Sequence, residues 1–282
     1  MAPFTSFALI GAGTLGTFVA KEMIKQSGAS VKLFTRDASK PEMKQFRDLG
    51  ANIVQVDYSS QEDLQRALTG VDVVVSTISH FGLELQVDIA RAAKAVGVKL
   101  FVPSEFGVEI AEGMEASKQV VRDALQAMQM PYTLFFPGFF ADIYHTFFDY
   151  NYKDGYINVI DKGDVQLSLT SRYDIARFIA HTLTTADPSD LLWAKVPIEA
   201  DRLSPLQIAA LAEKKLGKKI EIRSKPYADV KAKETSDFMA FLAVLLADGN
   251  GTAGTPADVN KAIAKFFPAW NPAKFESFVT DA

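Results

Sequence analysis

The chain has 282 residues, 48% of them hydrophobic and 23% charged, with a formal net charge of −4; that balance excludes a disordered polymer and is enough to bury a large core. The acidic surplus and an isoelectric point near 5.5 argue against nucleic acid as a partner, because neutralising phosphate backbones takes a concentrated basic surface. With no cysteine, disulfides, thiolate metal sites, cysteine-ligated iron–sulfur clusters and thiol nucleophiles are excluded together, and the composition fits an intracellular, cytoplasmic protein.

The opening MAPFTSFALIGAGTLG has no basic stretch before its apolar run, which passes straight into glycines, so it reads as a first strand and not as a secretory signal. Short β-branched and apolar runs then alternate with segments of helical period, the pattern of βαβ units around a parallel sheet covered on both faces. Strands are predicted over 7–10, 31–35, 52–56, 73–76 and 100–102, and helices over 15–26, 41–49, 61–68 and 83–96. The fold class is therefore α/β, a Rossmann-type doubly wound parallel sheet. Beyond Pro103 a helix over 116–128 and a strand over 132–136 lead into FFPGFFADIYHTFFDYNY, with six Phe and three Tyr in 18 residues. Single rings at such positions suit a core, but a planar apolar ligand also needs aromatic walls; Phe139, Phe140, Tyr144 and Phe148 are the candidates. A strand over 166–169 follows, then a helix over 172–184 capped by Ser171 and one over 205–216 capped by Ser204, with Pro205 in its first position. Residues 238–247 are apolar nearly all round. This helix is buried, covers a pocket or meets a second copy of the chain, which leaves a homodimer open; it reaches only about half of the ~20 residues that span a bilayer, so no membrane partner is expected. GNGTAGTP after it reads as a flexible loop. The division expected is a nucleotide-binding domain over 1–137, its sheet completed by later segments, and a smaller, partly interwoven substrate lobe over 138–282.

GAGTLG, residues 11–16, fits G-x-G-x-x-G between the first strand and its helix, the context that lifts this motif above chance. Gly11 permits the tight turn, Gly13 lets the backbone approach a pyrophosphate and Gly16 lets helix and strand pack closely. With Ala12, Thr14 and Leu15 they would bring the amides of a helix N-terminus to the phosphates. At the end of the second strand, where an NAD site would carry an acid for the ribose 2′-hydroxyl, stands Arg36. A guanidinium there pairs with a 2′-phosphate, so the cofactor expected is NADP(H), with Lys40 assisting; the alternative is a solvated Arg36 with Asp37 as the acid. Asp57, ending the third strand, either bonds the adenine amine or caps a turn. Ser76 and Thr77 close the fourth strand on the cofactor side, and His80 falls beside the expected nicotinamide as a substrate contact or as packing. Ser104 and Glu105, in PSEFG, lie past the fifth strand at the edge where such sheets bind ligands. Either Glu105 bonds backbone amides to fix that loop, or Ser104 touches substrate. No metal site is expected, because His80, His145 and His181 are widely separated and lack ligand spacing. The Y-x-x-x-K at 227–231, the pattern of ordinary short-chain dehydrogenases, comes too late in the chain and reads as a solvent-facing coincidence.

Several longer stretches carry a family resemblance. ANIVQVDYSSQEDLQRALTGVDVVVSTIS, QVDIARAAKAVGVKLFVPSEFG, KQVVRDALQAMQMPYTLFFPGFFADIY and GDVQLSLTSRYDIARFIAHTL, with LSPLQIAALAEKKLGKKIE and PAWNPAKFESFV, resemble the NmrA-like, isoflavone-reductase-like family of atypical short-chain dehydrogenases. The resemblance covers essentially the whole chain. It implies an NADP-binding Rossmann domain, a smaller C-terminal substrate lobe and reductases of phenolic or related ring compounds. In that family K-x-x-(V/I)-R follows PSEFG on a helix, so the resemblance implies Lys118 as the catalytic general acid or base and Arg122 as a contact to cofactor or substrate. A lysine partly desolvated beside a nicotinamide has its charged form disfavoured, which suits proton transfer. Two positions depart from the pattern: Ile10 stands where the family's first glycine falls, and Gly138 where its plant reductases carry asparagine, so substrate preference does not carry over from them. The function expected is NADPH-dependent reduction of a small aromatic or conjugated substrate, such as a phenolic, enone or quinone methide. The alternatives are a regulator that senses dinucleotide redox state, and a rearrangement on the dinucleotide as scaffold; the presence of Lys118 and Arg122 favours an enzyme over the sensor.

Overall fold

The computed structural model describes residues 2–79 and 82–281. Its central strand β1 (Ser6–Ile10) is buried along nearly its whole length, and the sheet grows outward from it. On one side lie β2 (Ser30–Thr35) and β3 (Asn52–Gln55), on the other β4 (Val73–Ser76) and β5 (Leu100–Val102), giving the order β3-β2-β1-β4-β5 with every pairing parallel. Strands covered on both faces need apolar side chains at every position, which explains the apolar runs 7–10, 73–75 and 100–102, whereas the edge strand β3 keeps polar Asn52 and Gln55 at its ends. The two faces still separate by alternation. Phe7 and Leu9 point to one core and Ala8 and Ile10 to the other.

The helices α1 (Gly16–Ile24), α2 (Lys44–Asp48), α3 (Gln61–Leu68), α4 (Leu85–Ala95) and α5 (Ala116–Ala127) make the crossovers. α3, α4 and α5 cover the Ala8/Ile10 face. The segment expected as one helix over 41–49 is a 3-10 turn, Pro41–Met43, running into α2. β6 (Thr133–Phe136) continues the sheet beyond β5 through a parallel bridge between Phe101 and Tyr132.

After β6 the chain passes through β7 (Phe139–Phe140), α6 (Tyr144–Phe147), β8 (Tyr150–Asn151), β9 (Tyr156–Ile160) and β10 (Leu167–Thr170). It returns to the first sheet with α7 (Arg172–Thr185), which packs against α1, then α8 (Pro188–Leu191) and β11 (Ala194–Pro197), which pairs in parallel with β6. β12 (Asp201–Leu203), α9 (Pro205–Leu216), β13 (Glu221–Lys225), α10 (Tyr227–Lys231), α11 (Phe238–Ala247) and α12 (Pro256–Phe266) complete the order. Two small sheets, β12-β10-β7 and β13-β9-β8, enclose a third core around Tyr144, Tyr150, Ile157, Leu169, Ile208 and Phe275. β10 is the strand expected over 166–169. The other late strands were not predicted: β7, β8, β11 and β12 are short and β13 is exposed at every position, so no alternation marks them, while β9 was missed although it alternates. Among the described residues no helix is long and apolar enough to cross a membrane.

Candidate active site

The strand order reverses between β1 and β4, and there a cleft of about 1840 Å³ opens, at the place where open α/β sheets receive ligands. Its wall includes the glycine turn, the end of β2, the loop after β5, Lys118 on α5, the aromatic segment after β6, and Phe238 and Leu242 of α11. α11 packs Phe238, Phe241, Leu242 and Leu245 with Val108, Ile110 and Met114, and Phe238 and Leu242 of that same face also border the cleft.

The three glycines of the turn differ in what they must avoid. Gly11 has φ +97°, and a Cβ on it would come within 2.9 Å of the Thr77 carbonyl oxygen. A Cβ on Gly16 would overlap the Gly11 carbonyl and the Thr77 hydroxyl. Around Gly13 an added Cβ would meet nothing within 4 Å, so no protein packing demands glycine there, and its bare backbone borders open cleft. Ala12, Thr14 and Leu15 line the same wall. α1 starts without a side-chain cap, and the amides of Thr17, Phe18 and Val19 donate to the Gly13 and Leu15 carbonyls. Thr77 locks the turn: its amide donates to the Ile10 carbonyl at 2.8 Å and its hydroxyl to the Gly11 carbonyl. Ser76, expected beside the cofactor, is instead fully buried and outside the cleft wall, because it still belongs to the enclosed β4.

At the end of β2, Arg36 is exposed on the cleft wall together with Lys40, whose Nζ lies 3.9 Å from Glu42. Asp37 is not part of that wall. Its carboxylate accepts from the Ser39 hydroxyl at 2.6 Å and amide at 2.9 Å, bonds that hold it below the usual carboxylate range. Asp57 lines the cleft but is engaged in the same way, accepting from the hydroxyl and amide of Ser59. Of the two roles weighed for it, this geometry is the turn cap.

Lys118 occupies the first turn of α5. Its Nζ donates to the Glu105 carbonyl at 3.1 Å and forms an ion pair with Glu115, with the lysine side chain only 11% exposed. The ammonium is thus largely buried and held between two partners. Glu105 places one carboxylate oxygen 2.8 Å from Arg122 Nη1, while the other is buried with no hydrogen-bond partner among the described residues. Burial raises its carboxyl above the ordinary range, against the pull of Lys118 and Arg122. Glu105 does not hold backbone amides, as one sequence reading had it. The bend that presents it is strained: Phe106 sits at φ 36°.

Arg122, expected as a contact to cofactor or substrate, is placed differently. It does not reach the cleft wall. One turn beyond Lys118, it lies behind the Glu105 loop and gives its donors to Glu105, Gln119 and the Ile110 carbonyl. Ser104 does line the cleft, with its hydroxyl on the Ile78 carbonyl and its amide on Gln86, each at 2.8 Å.

Phe139, Phe140, Tyr144 and Phe148 all line the far end. Phe139 and Phe148 meet edge to face, while Tyr144 is 1% exposed and also packs on Tyr150 and Phe275. Gly138 has φ +73°, its amide donates to the Gly107 carbonyl, and a Cβ would overlap the Ser168 carbonyl; an asparagine does not fit this backbone. His80 lies outside the described residues. His145 and His181 are away from the cleft, as is α10, none of whose residues is buried. Glu115, Gln86, Phe238 and Leu242 were not foreseen as site residues. The i, i+3 spacing of Glu115 and Lys118 was the one available signal.

A comparison with curated proteins returns no match. Among solved structures, that of AtPrR2 with NADP+ and (+)pinoresinol has a TM-score of 0.84 at 22% identity and covers 99% of each chain. The leucoanthocyanidin reductase–NADPH complex from Vitis vinifera has a TM-score of 0.81 at 23% identity, covering 96% of this chain and 97% of that one. A new type of NADPH-dependent quinone oxidoreductase from Escherichia coli has 0.74 at 22%, covering 97% and 98%. Each shares the fold described above. The model of the NmrA-like family matches residues 7–279, and the chain accordingly belongs to the NmrA-like family.

Proposed function

We propose that this protein is an NADPH-dependent reductase of a small aromatic or conjugated substrate. The observation that carries the reading is the single cleft that joins the glycine turn and Arg36 to Lys118 and the aromatic wall. The likeness to reductases solved with NADP+ or NADPH supports it. The residues present suit the dinucleotide: open space at Gly13 for a pyrophosphate, and an exposed guanidinium for a 2′-phosphate, with Asp37, the acid weighed against it, held by Ser39 off the wall. In this reading residues 1–137 bind the cofactor, 138–282 bind the ring, and β11 and α7 return to brace the first part.

NADPH, when bound, supplies a hydride. Lys118 supplies the matching proton from Nζ, which the Glu105 carbonyl and Glu115 aim. The phenylalanines and Leu242 keep water from the reacting end. A lysine facing the cleft has no part in a pure redox sensor, which favours the enzyme. NADPH consumption followed by absorbance, over a panel of enones, quinones and phenolic esters, tests the reading. Lys118→Ala should lower turnover about 100-fold or more; undiminished turnover rejects the role given to Lys118.

A further inference from the structure

Charge is distributed unevenly along the cleft. The charged side chains between residues 36 and 88 of its wall come from the β2–α4 part of the fold, and among the described residues the charged ones that follow β5 are Glu105, Glu115 and Lys118. Of these three, two are acids. The cations at this end are already engaged: Lys118 with Glu115 and the Glu105 carbonyl, and Arg122, behind the wall, with Glu105. All four side chains are about nine-tenths buried or more, at 11% and 7% exposure for Lys118 and Glu115 and 6% and 1% for Arg122 and Glu105. A ring bearing a carboxylate would leave water here without gaining a free cation, and the buried, unpartnered oxygen of Glu105 would repel it. A ring bearing a neutral hydroxyl or amide loses far less.

We propose that Glu115 is a specificity-determining residue: by holding the charge of Lys118, it makes the aromatic end accept neutral ring ligands and refuse anionic ones. The proposal rests on the reading that this end of the cleft is the ring site.

Naphthalene-2-carboxamide and naphthalene-2-carboxylate have the same shape and differ in charge at neutral pH, so calorimetry with the NADP+-saturated protein tests the point without turnover. The wild type should bind the amide at least about tenfold more tightly than the carboxylate. Glu115→Gln frees the ammonium for a charge-assisted bond and should tighten the carboxylate about tenfold or more, with the amide changed less than about threefold. Glu115→Asp should keep the wild-type preference, and adding Lys118→Gln to Glu115→Gln should abolish the gain. Equal binding of the two ligands by the wild type, no binding of either, or an equal shift of both in Glu115→Gln would overturn the assignment. The wild-type comparison decides even where a variant does not fold. NADP+ titration of the same samples is a separate readout: no NADP+ binding rejects the proposed function, whereas tight carboxylate binding beside normal NADP+ binding rejects only the assignment to Glu115.

Discussion

At the scale of single residues, the glycine turn separates side chains that the fold requires from those that a ligand requires. Gly16→Ala should destabilise by about 2–4 kcal/mol, since its Cβ overlaps backbone that cannot yield. Gly13→Ala, in open space and without a positive φ, should change stability by less than about 1 kcal/mol yet weaken NADPH binding about tenfold or more. Chemical denaturation and cofactor titration of both variants check this, and equal stability losses would contradict it. Arg36→Ala should weaken NADPH about 10–100-fold and NADH less than about threefold; equal losses in the two titrations would refute the 2′-phosphate role. Glu105 makes a pH prediction. Its folded carboxyl titrates above the ordinary value of 4.5, so above that pH the folded state holds more proton than the unfolded one. Stability contributed by the neutral acid is full below 4.5 and is lost as pH rises through the raised value. The Tm of Glu105→Gln relative to wild type should therefore climb as pH rises from 4.5, and a flat or falling difference would count against it. Arg36 and the glycines were readable from spacing alone. Arg122 was not, because its position behind a loop depends on where PSEFG folds in space.

Among elements, those with start and stop chemistry were the legible ones. α9 opens with the capping box of Ser204 and Gln207, has Pro205 in its first turn and closes on Gly217 in the left-handed conformation. α7 likewise opens at Ser171, whose side chain accepts from the Asp174 amide. What the sequence did not reveal is that the Asp174 carboxylate, in a residue 1% exposed, also receives Arg177 and the amide of Ala273, tying the C-terminal segment to the helix that braces α1. Its partners lie up to 99 residues away, beyond any local pattern. Asp174→Ala should cost about 3 kcal/mol by leaving those donors unpaired. Urea denaturation would show it, and a loss below about 1 kcal/mol would mean that water replaces the carboxylate at no great cost.

Over the whole molecule, the fold class was readable because five parallel strands and their crossovers repeat one pattern, and the cleft follows from where that pattern reverses. The second half was less readable: β11 and α7 return to the first sheet, and α11 contributes Phe238 and Leu242 to the cleft, through contacts that no periodicity announces. The central claim is that one cleft holds NADPH along the glycine turn and presents it to Lys118. A crystal structure of the protein with NADP+ tests this most directly. It should show the 2′-phosphate on Arg36, the pyrophosphate over Gly13 and the nicotinamide beside Lys118; a dinucleotide seated elsewhere, or one whose nicotinamide points away from Lys118, would contradict it.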